Sequence, residues 1–392
     1  MIPETTQAQS KGEWIDSHRN EWRWAITFAF IFVALTWLPY LMAYAIVPSG
    51  MHYFWLLGNP DDQNVHLMWA RQAADGAWRF KDLYTTESHP GMFVHSLMLA
   101  IGWLHRGTRV PLHLLYQFTR SVAAFGLCLT AYALARSCIA TIPARRLFVL
   151  ILCFSSGFGW FTWLCRSMFN INLPLLVDVS PELMMPEAIT FLAGLVAPLA
   201  ITGMALATGI MACMMQFTRT HHFKFVAYSV ILAMLLGNVH TYVAVALVAV
   251  FAVWWVFHII WCAWLQHLRL NQTNFTGNSL TLAGVFIVVA LAGALGALPQ
   301  WLAFRADPAF RMKALTPTLT PPVWILCASY GFITLLALIG IGIAVRTRWH
   351  ALPMALGWIV GIAISIYLPV SFQRKMIEGL HIPLCLLAAY AC

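Results

Sequence analysis

WAITFAFIFVALTWLPYLMAYAIV, residues Trp24–Val47, holds no Asp, Glu, Lys or Arg. It exceeds the roughly 20 residues that a helix needs to cross a hydrocarbon core about 30 Å thick. Similar apolar runs recur as far as Ala389, and the whole chain of 392 residues is 61% hydrophobic and only 9% charged. Its mean hydropathy is +0.75, whereas soluble domains carry about 25% charged residues. In lipid every backbone polar group must be satisfied internally, which leaves helices or closed barrels. Unbroken apolar runs lack the alternation of a barrel strand. The expected fold is therefore all-α, a polytopic transmembrane helix bundle.

From Trp24–Val47 outward, further spans are expected at Leu112–Ala135, Leu147–Leu164, Ala188–Phe217, Phe223–Asn238, Thr241–Leu265, Leu280–Leu302, Val323–Val345, Ala351–Val370 and Ile377–Ala391, about ten in all. Met92–His105 is apolar but short for a crossing, so the sequence leaves it at the interface or re-entrant. Charge supports ten. Without a crossing there, Lys11, Arg19 and Arg23 share a side with Arg136, Arg145, Arg146, Arg219, Lys224, Arg269, Arg346 and Arg348, which the positive-inside rule makes cytoplasmic. Residues 1–23 then form a cytoplasmic N-terminal tail without the pattern of a cleavable signal peptide, and residues 24–392 form one transmembrane domain. The last apolar run stops at Cys392 without a polar tail, so further helices are expected beyond it.

The net charge of +9 is spread over many short loops. That thin distribution fits membrane topology and argues against nucleic acid as a partner. Nine cysteines sit in or beside apolar runs without metal-type spacing, so neither a disulfide nor a zinc site is expected. Acidic residues are distributed quite differently. Four of the fourteen lie in the N-terminal tail, and the others all fall in loops on the opposite face.

The first of those loops, residues 48–111, opens with Gly58-Asn59-Pro60-Asp61-Asp62, a turn signal. Val65, Met68, Trp69, Gln72 and Ala73 then follow helical spacing, closed by Asp75-Gly76. This reads as a surface-lying helix with aromatic and thioether groups in lipid, and with Asp61 or Asp62 as its N-cap. One Asp suffices for a cap, which leaves the other for chemistry or a metal. Tyr84-Thr85-Thr86-Glu87-Ser88-His89-Pro90-Gly91 returns the chain to the membrane with two titratable groups, Glu87 and His89. Arg120 lies inside the second expected span, where structural pairing with a carboxylate, snorkelling or a functional role are all open.

At these residues the chain resembles the GT-C superfamily of membrane glycosyltransferases, bacterial type, which take sugars from polyprenyl-phosphate carriers. The shared order is an acidic motif after the first span, a juxtamembrane helix (His66 to Gly76), the His89-Pro90-Gly91 return, the short Met92–His105 stretch, and Gln117-Phe118-Thr119-Arg120 opening the second span. The resemblance is clearest over residues 24 to 137 and continues as topology. It departs from the family in its adjacent Asp-Asp pair, and no C-terminal soluble domain is expected within residues 24–392. The resemblance implies inverting transfer from a polyprenyl-phosphate-linked sugar to a glycan, lipid or protein acceptor, at the extracytoplasmic face of a bacterial inner membrane.

Such transfer needs a base to take the acceptor hydroxyl's proton and positive charge to stabilise the departing phosphate. Asp61 is the first choice of base and Asp62 the second. Arg374 and Lys375, paired at an outer boundary, are the first choice of phosphate clamp, although lipid anchoring explains them equally. Arg305, Arg311 and Lys313 are the second choice. Asp178, Glu182 and Glu187 share another outer loop; Glu182 and Glu187 follow prolines and suit helix first turns, and Glu187 also suits acceptor binding. His240, in the turn Gly237–Tyr242, is a candidate substrate contact. A divalent cation, Mg²⁺ or Mn²⁺, is permitted by the carboxylates but not required. The sequence keeps three rivals open: a secondary transporter or flippase, a glycan ligase or polymerase, and a non-catalytic scaffold with a degenerate site.

Overall fold

The computed structural model describes the backbone of residues 4–171, 181–268 and 275–392, and side chains over 19–171, 181–268 and 278–392. Asp178 and Arg269 lie outside the described residues. Within them the chain is helical, with one isolated antiparallel bridge between Phe80 and Phe93. The helices are α1 (Glu4–Ala45), α2 (Pro60–Ala74), α3 (Ser96–Thr108), α4 (Leu112–Cys138), α5 (Ile142–Phe154), α6 (Gly159–Phe169), α7 (Pro181–Met184), α8 (Thr190–Val196) and α9 (Pro198–Thr220). They continue with α10 (Lys224–Val239), α11 (Thr241–His267), α12 (Phe275–Ala306), α13 (Pro308–Leu315), α14 (Val323–Tyr330), α15 (Phe332–Arg346), α16 (Leu352–Ser365) and α17 (His381–Ala391), with a 3₁₀ turn at Gln373–Ile377 before the last.

Five helices are long and apolar enough to cross a membrane by themselves: those containing Arg19–Ala45, Leu112–Cys138, Pro198–Thr220, Thr241–His267 and Asn278–Ala306. Two bent pairs, α5 with α6 and α14 with α15, raise the number to 7 if each is one span. The protein is thus an all-α chain with the helices of an integral membrane protein.

Three runs expected to be continuous are broken, each for a local reason. Ala188–Phe217 splits at Ala197, because the residue before a proline is pushed out of the helical region. α14 and α15 meet at 90° around Gly331, whose φ of 53° and ψ of −129° suit glycine alone. α5 and α6 meet at 44°, and a Cβ on Gly157 between them would overlap the Ser329 carbonyl. The two breaks therefore touch, backbone on backbone. Glu182 is buried there and accepts a hydrogen bond from the Gly159 amide.

The connections gather at two ends. At one, Trp349 Nε1 donates to the Cys138 carbonyl (2.7 Å) and Arg219 Nη1 to the Ser137 carbonyl (3.1 Å), so the turns rich in arginine pack together. At the other, the Asn238 carboxamide accepts from the Ser96 amide (2.6 Å) and the Arg374 amide donates to the Thr318 carbonyl (3.0 Å). This second end holds the loop of residues 48–111.

That loop departs from its expected form. The apolar face of α2 does not lie in lipid: Trp69 is 5% exposed, buried among Phe93, His95 and Phe310. α3 folds back along α2 so closely that a Cβ on Gly102 would overlap the backbone at Ala70 and Ala74. α3 is not among the helices long and apolar enough to span. The driving force is burial of a large aromatic surface, worth about 25 cal/mol per Å².

Candidate functional site

The N-cap of α2 is Asn59, not either aspartate, and Pro60 takes the first helical position. Asp61 and Asp62 both fall in the first turn, where the helix dipole favours negative charge. Both are exposed, but their surroundings differ. Asp62 Oδ2 accepts a hydrogen bond from Asn59 Nδ2 at 2.6 Å and lies close enough to bear on Tyr116 and Lys313. Asp61 has no side-chain partner among the described residues.

One turn beyond Asp62, on the same face, His66 Nδ1 is 2.7 Å from the Tyr116 hydroxyl. Burial, with His95, Lys313, Lys375 and His240 around it, holds the His66 imidazole well below its ordinary pKa. His95 is 2% exposed with both ring nitrogens unpartnered, and burial pushes it down to about 4. Lys313 Nζ lies 3.6 Å from Asp82 Oδ2 and 5.2 Å from the centre of the Trp69 ring. Burial lowers its pKa, opposed by Asp82 and Asp62.

Further groups come from the turn between α10 and α11 and from the segment before α17. α17 has 11 residues and so rises about 16 Å, while Tyr390 near its end stacks on Trp349 at the arginine-rich end. The preceding segment must therefore descend into the bundle, carrying Arg374, Lys375 and Glu378. His240 Nε2 comes within 3.3 Å of Glu378 Oε2, but the Glu378 oxygens and His240 Nδ1 are buried without a hydrogen-bond partner. Burial, with Lys375 beside it, pushes His240 down to about 3, so its ring is neutral at pH 7. Lys375 Nζ sits 5.1 Å from the centre of the Tyr242 ring. Arg374 Nε and Glu187 Oε2 are also buried and unpartnered.

These groups bear on one another as a polar cluster of two lysines, three neutral imidazoles and a tyrosine, with Asp62 and Asp82 on the α2 side and Glu187 and Glu378 on the bundle side. Its unpaired buried polar atoms each cost free energy of about 1–3 kcal/mol unless a bound group satisfies them. The cluster brings together Asp62, Glu187, His240, Lys313 and Lys375 from the residues singled out in the sequence; no contact joins the Arg374 side chain to it among the described residues. His66, His95, Tyr116, Asp82 and Glu378 were not anticipated. The i, i+4 relation of Asp62 and His66 was readable; the contributions from distant loops carry no local signal.

Other expected site residues are elsewhere. Glu87 is exposed, and its backbone amide donates a hydrogen bond to Thr85 Oγ1 (3.2 Å). His89 is a strut: its Nδ1 lies 2.8 Å from Asp307 Oδ2, with side chains 4% and 0% exposed. That hydrogen bond, chiefly, raises the His89 pKa. Asp307 also accepts from the Gly91 amide and caps α13 through the Ala309 amide. Arg120 is fully buried, but its partners are not carboxylates. Nε donates to Gln117 Oε1 (2.8 Å), Nη1 to Thr36 Oγ1 (2.9 Å) and the Gly194 carbonyl, and the guanidinium faces the Tyr40 and Trp37 rings. It ties α1, α4 and α8 together. Arg305 lies over the Trp301 ring at 4.3 Å.

No group of three His, Cys, Asp or Glu side chains among the described residues is placed to hold a metal ion. Compared with known proteins, the chain matches no family model and no curated protein.

Proposed function

We propose that the protein is a membrane glycosyltransferase of GT-C type, about ten spans in all, with its N-terminus cytoplasmic in a bacterial inner membrane. The polar cluster around Asp62 then faces the outer leaflet and takes a polyprenyl-phosphate-linked sugar as donor. The observation that supports this reading is the clustering of an exposed carboxylate, Asp62, with His66, Lys313 and Lys375.

In this reading Asp62, rather than Asp61, accepts the proton of the acceptor hydroxyl as the anomeric carbon is attacked on the face opposite the phosphate. The phosphate leaves as an anion stabilised by Arg374, Lys375 and Lys313. His66, His95 and His240, kept neutral, offer hydrogen bonds to sugar or acceptor hydroxyls without competing for the proton. Arg120, His89 and Glu87 have no part in the transfer. A divalent cation is not assigned a site.

The test is sugar transfer in membranes supplied with labelled polyprenyl-phosphate sugars. Loss of transfer in the Asp61→Asn, Asp62→Asn double variant is expected; full activity there rejects the reading. A second reading, as a secondary transporter or flippase, is favoured by a separate observation, the crossing of two bent helix pairs at Gly157 and Gly331 beside buried Glu182. Solute flux into proteoliposomes without sugar transfer selects it.

A further inference from the structure

Where the two bent helix pairs cross, the first member of each pair ends. α5 stops at Phe154 and α14 at Tyr330. The Phe158 amide donates to the Ala328 carbonyl across the crossing (3.3 Å). A Cβ on Gly157 would overlap the Ser329 carbonyl, and one on Gly331 would stand 3.5 Å from the Ser156 carbonyl. A helix C-terminus carries partial negative charge on its last carbonyls, so two of them at one place favour a positive group there.

The side chains add to that field instead of cancelling it. Glu182 is 5% exposed; its Oε1 accepts from the Gly159 amide, while its Oε2 has no hydrogen-bond partner. The groups that bear on it are the Ser329 hydroxyl and backbone amides, with no lysine, arginine or histidine among them. Tyr330 is 2% exposed, and its hydroxyl, within the influence of Glu182, is likewise unpartnered. His381 stacks on the Tyr330 ring with centres 5.7 Å apart, but both of its nitrogens are engaged: Nε2 lies 3.0 Å from Ser155 Oγ and Nδ1 3.1 Å from Thr190 Oγ1.

A buried carboxylate without a counter-charge is costly, and a single positive charge balances it. We propose that the crossing binds a monovalent metal cation of about the size of sodium, with Glu182 Oε2 and the Tyr330 hydroxyl as ligands beside the carbonyl ends of α5 and α14. Carbonyls freed at breaks in membrane helices suit such ions. A divalent ion would leave one positive charge uncompensated, and these ions usually take more than one carboxylate or several waters. The site shares no side chain with the polar cluster around Asp62, and the proposal does not depend on sugar transfer.

The test uses the full chain in uncharged detergent, at a pH above the carboxylate range, with sodium chloride exchanged for choline chloride at constant ionic strength. Retention of radioactive sodium and the unfolding temperature are followed together. Sodium should be retained and should raise the unfolding temperature saturably, since it binds the folded chain alone; choline should do neither. Glu182→Gln keeps an oxygen for the Gly159 amide and should abolish both effects. Tyr330→Phe keeps the ring against His381 and supplies the second variant, should the first fail to fold; it should weaken sodium binding by about tenfold, as for one lost polar contact. Absence of sodium retention by the wild type, unchanged retention in folded Glu182→Gln or in Tyr330→Phe, or stabilisation that follows acidification instead of sodium overturns the proposal.

Discussion

Replacing Asp307 with alanine removes three interactions at once: the 2.8 Å bond to His89 Nδ1, the 3.2 Å bond from the Gly91 amide and the 3.1 Å cap on the Ala309 amide. Breaking a buried ion pair costs about 3–5 kcal/mol, and losing a cap about 1 kcal/mol. Because a single carboxylate serves all three, and water enters as the loop lifts, about 4 kcal/mol is the expected total. At 1.4 kcal/mol per factor of ten, local opening becomes about 10³-fold easier. Hydrogen exchange of amides between Asp82 and Val94, corrected for intrinsic rates, reads this directly, and a change below tenfold refutes the reasoning. Asp307→Asn keeps an oxygen for the cap and should cost about half. The pH dependence has a definite sign. The folded pKa of His89 is raised, so its contribution is fully present below the unfolded value of about 6.5 and is lost as pH rises through the folded value. Asp307→Asn should abolish that alkaline weakening.

Three further outcomes are expected. Asp62→Asn should lower sugar transfer by about 10²–10⁴-fold, as for loss of a general base, while Asp61→Asn stays within about tenfold; initial rates in membranes separate them. His95, pushed down to about 4, contributes stability present above the unfolded pKa of about 6.5 and lost as pH falls toward 4. His95→Gln should therefore flatten the acid limb of thermal stability in detergent. Arg120→Leu leaves the Gln117, Thr36 and Gly194 acceptors without a donor, which costs about 3 kcal/mol or more. Arg120→Lys should recover less than half of the lost unfolding temperature, since an ammonium cannot reproduce the fork.

The sequence disclosed helices and their apolar length, because these depend on local composition. Breaks within helices were partly legible: Pro198 marked the end of α8, but the 90° bend at Gly331 depends on Ser329 meeting Gly157, a contact across the fold. The N-cap of α2 was also legible, since a proline at the first helical position assigns the cap to the residue before it, Asn59. Trp69 was placed in lipid because helical periodicity identifies an apolar face without saying what covers it. His89 was taken for a substrate group because its partner, Asp307, is 218 residues away. The same separation hid the polar cluster, whose groups come from α2, the connection between α2 and α3, α4, the segment before α8, the α10–α11 turn, α13 and the segment before α17.

The account rests on Asp62 acting in sugar transfer, and the most direct measurement is the rate at which purified protein in vesicles moves label from a polyprenyl-phosphate sugar to a membrane acceptor. Wild type should transfer label, and folded Asp62→Asn should lose at least about 10²-fold of that rate while still retaining the donor. Transfer by Asp62→Asn at the wild-type rate, or solute flux without any transfer by wild type, contradicts it.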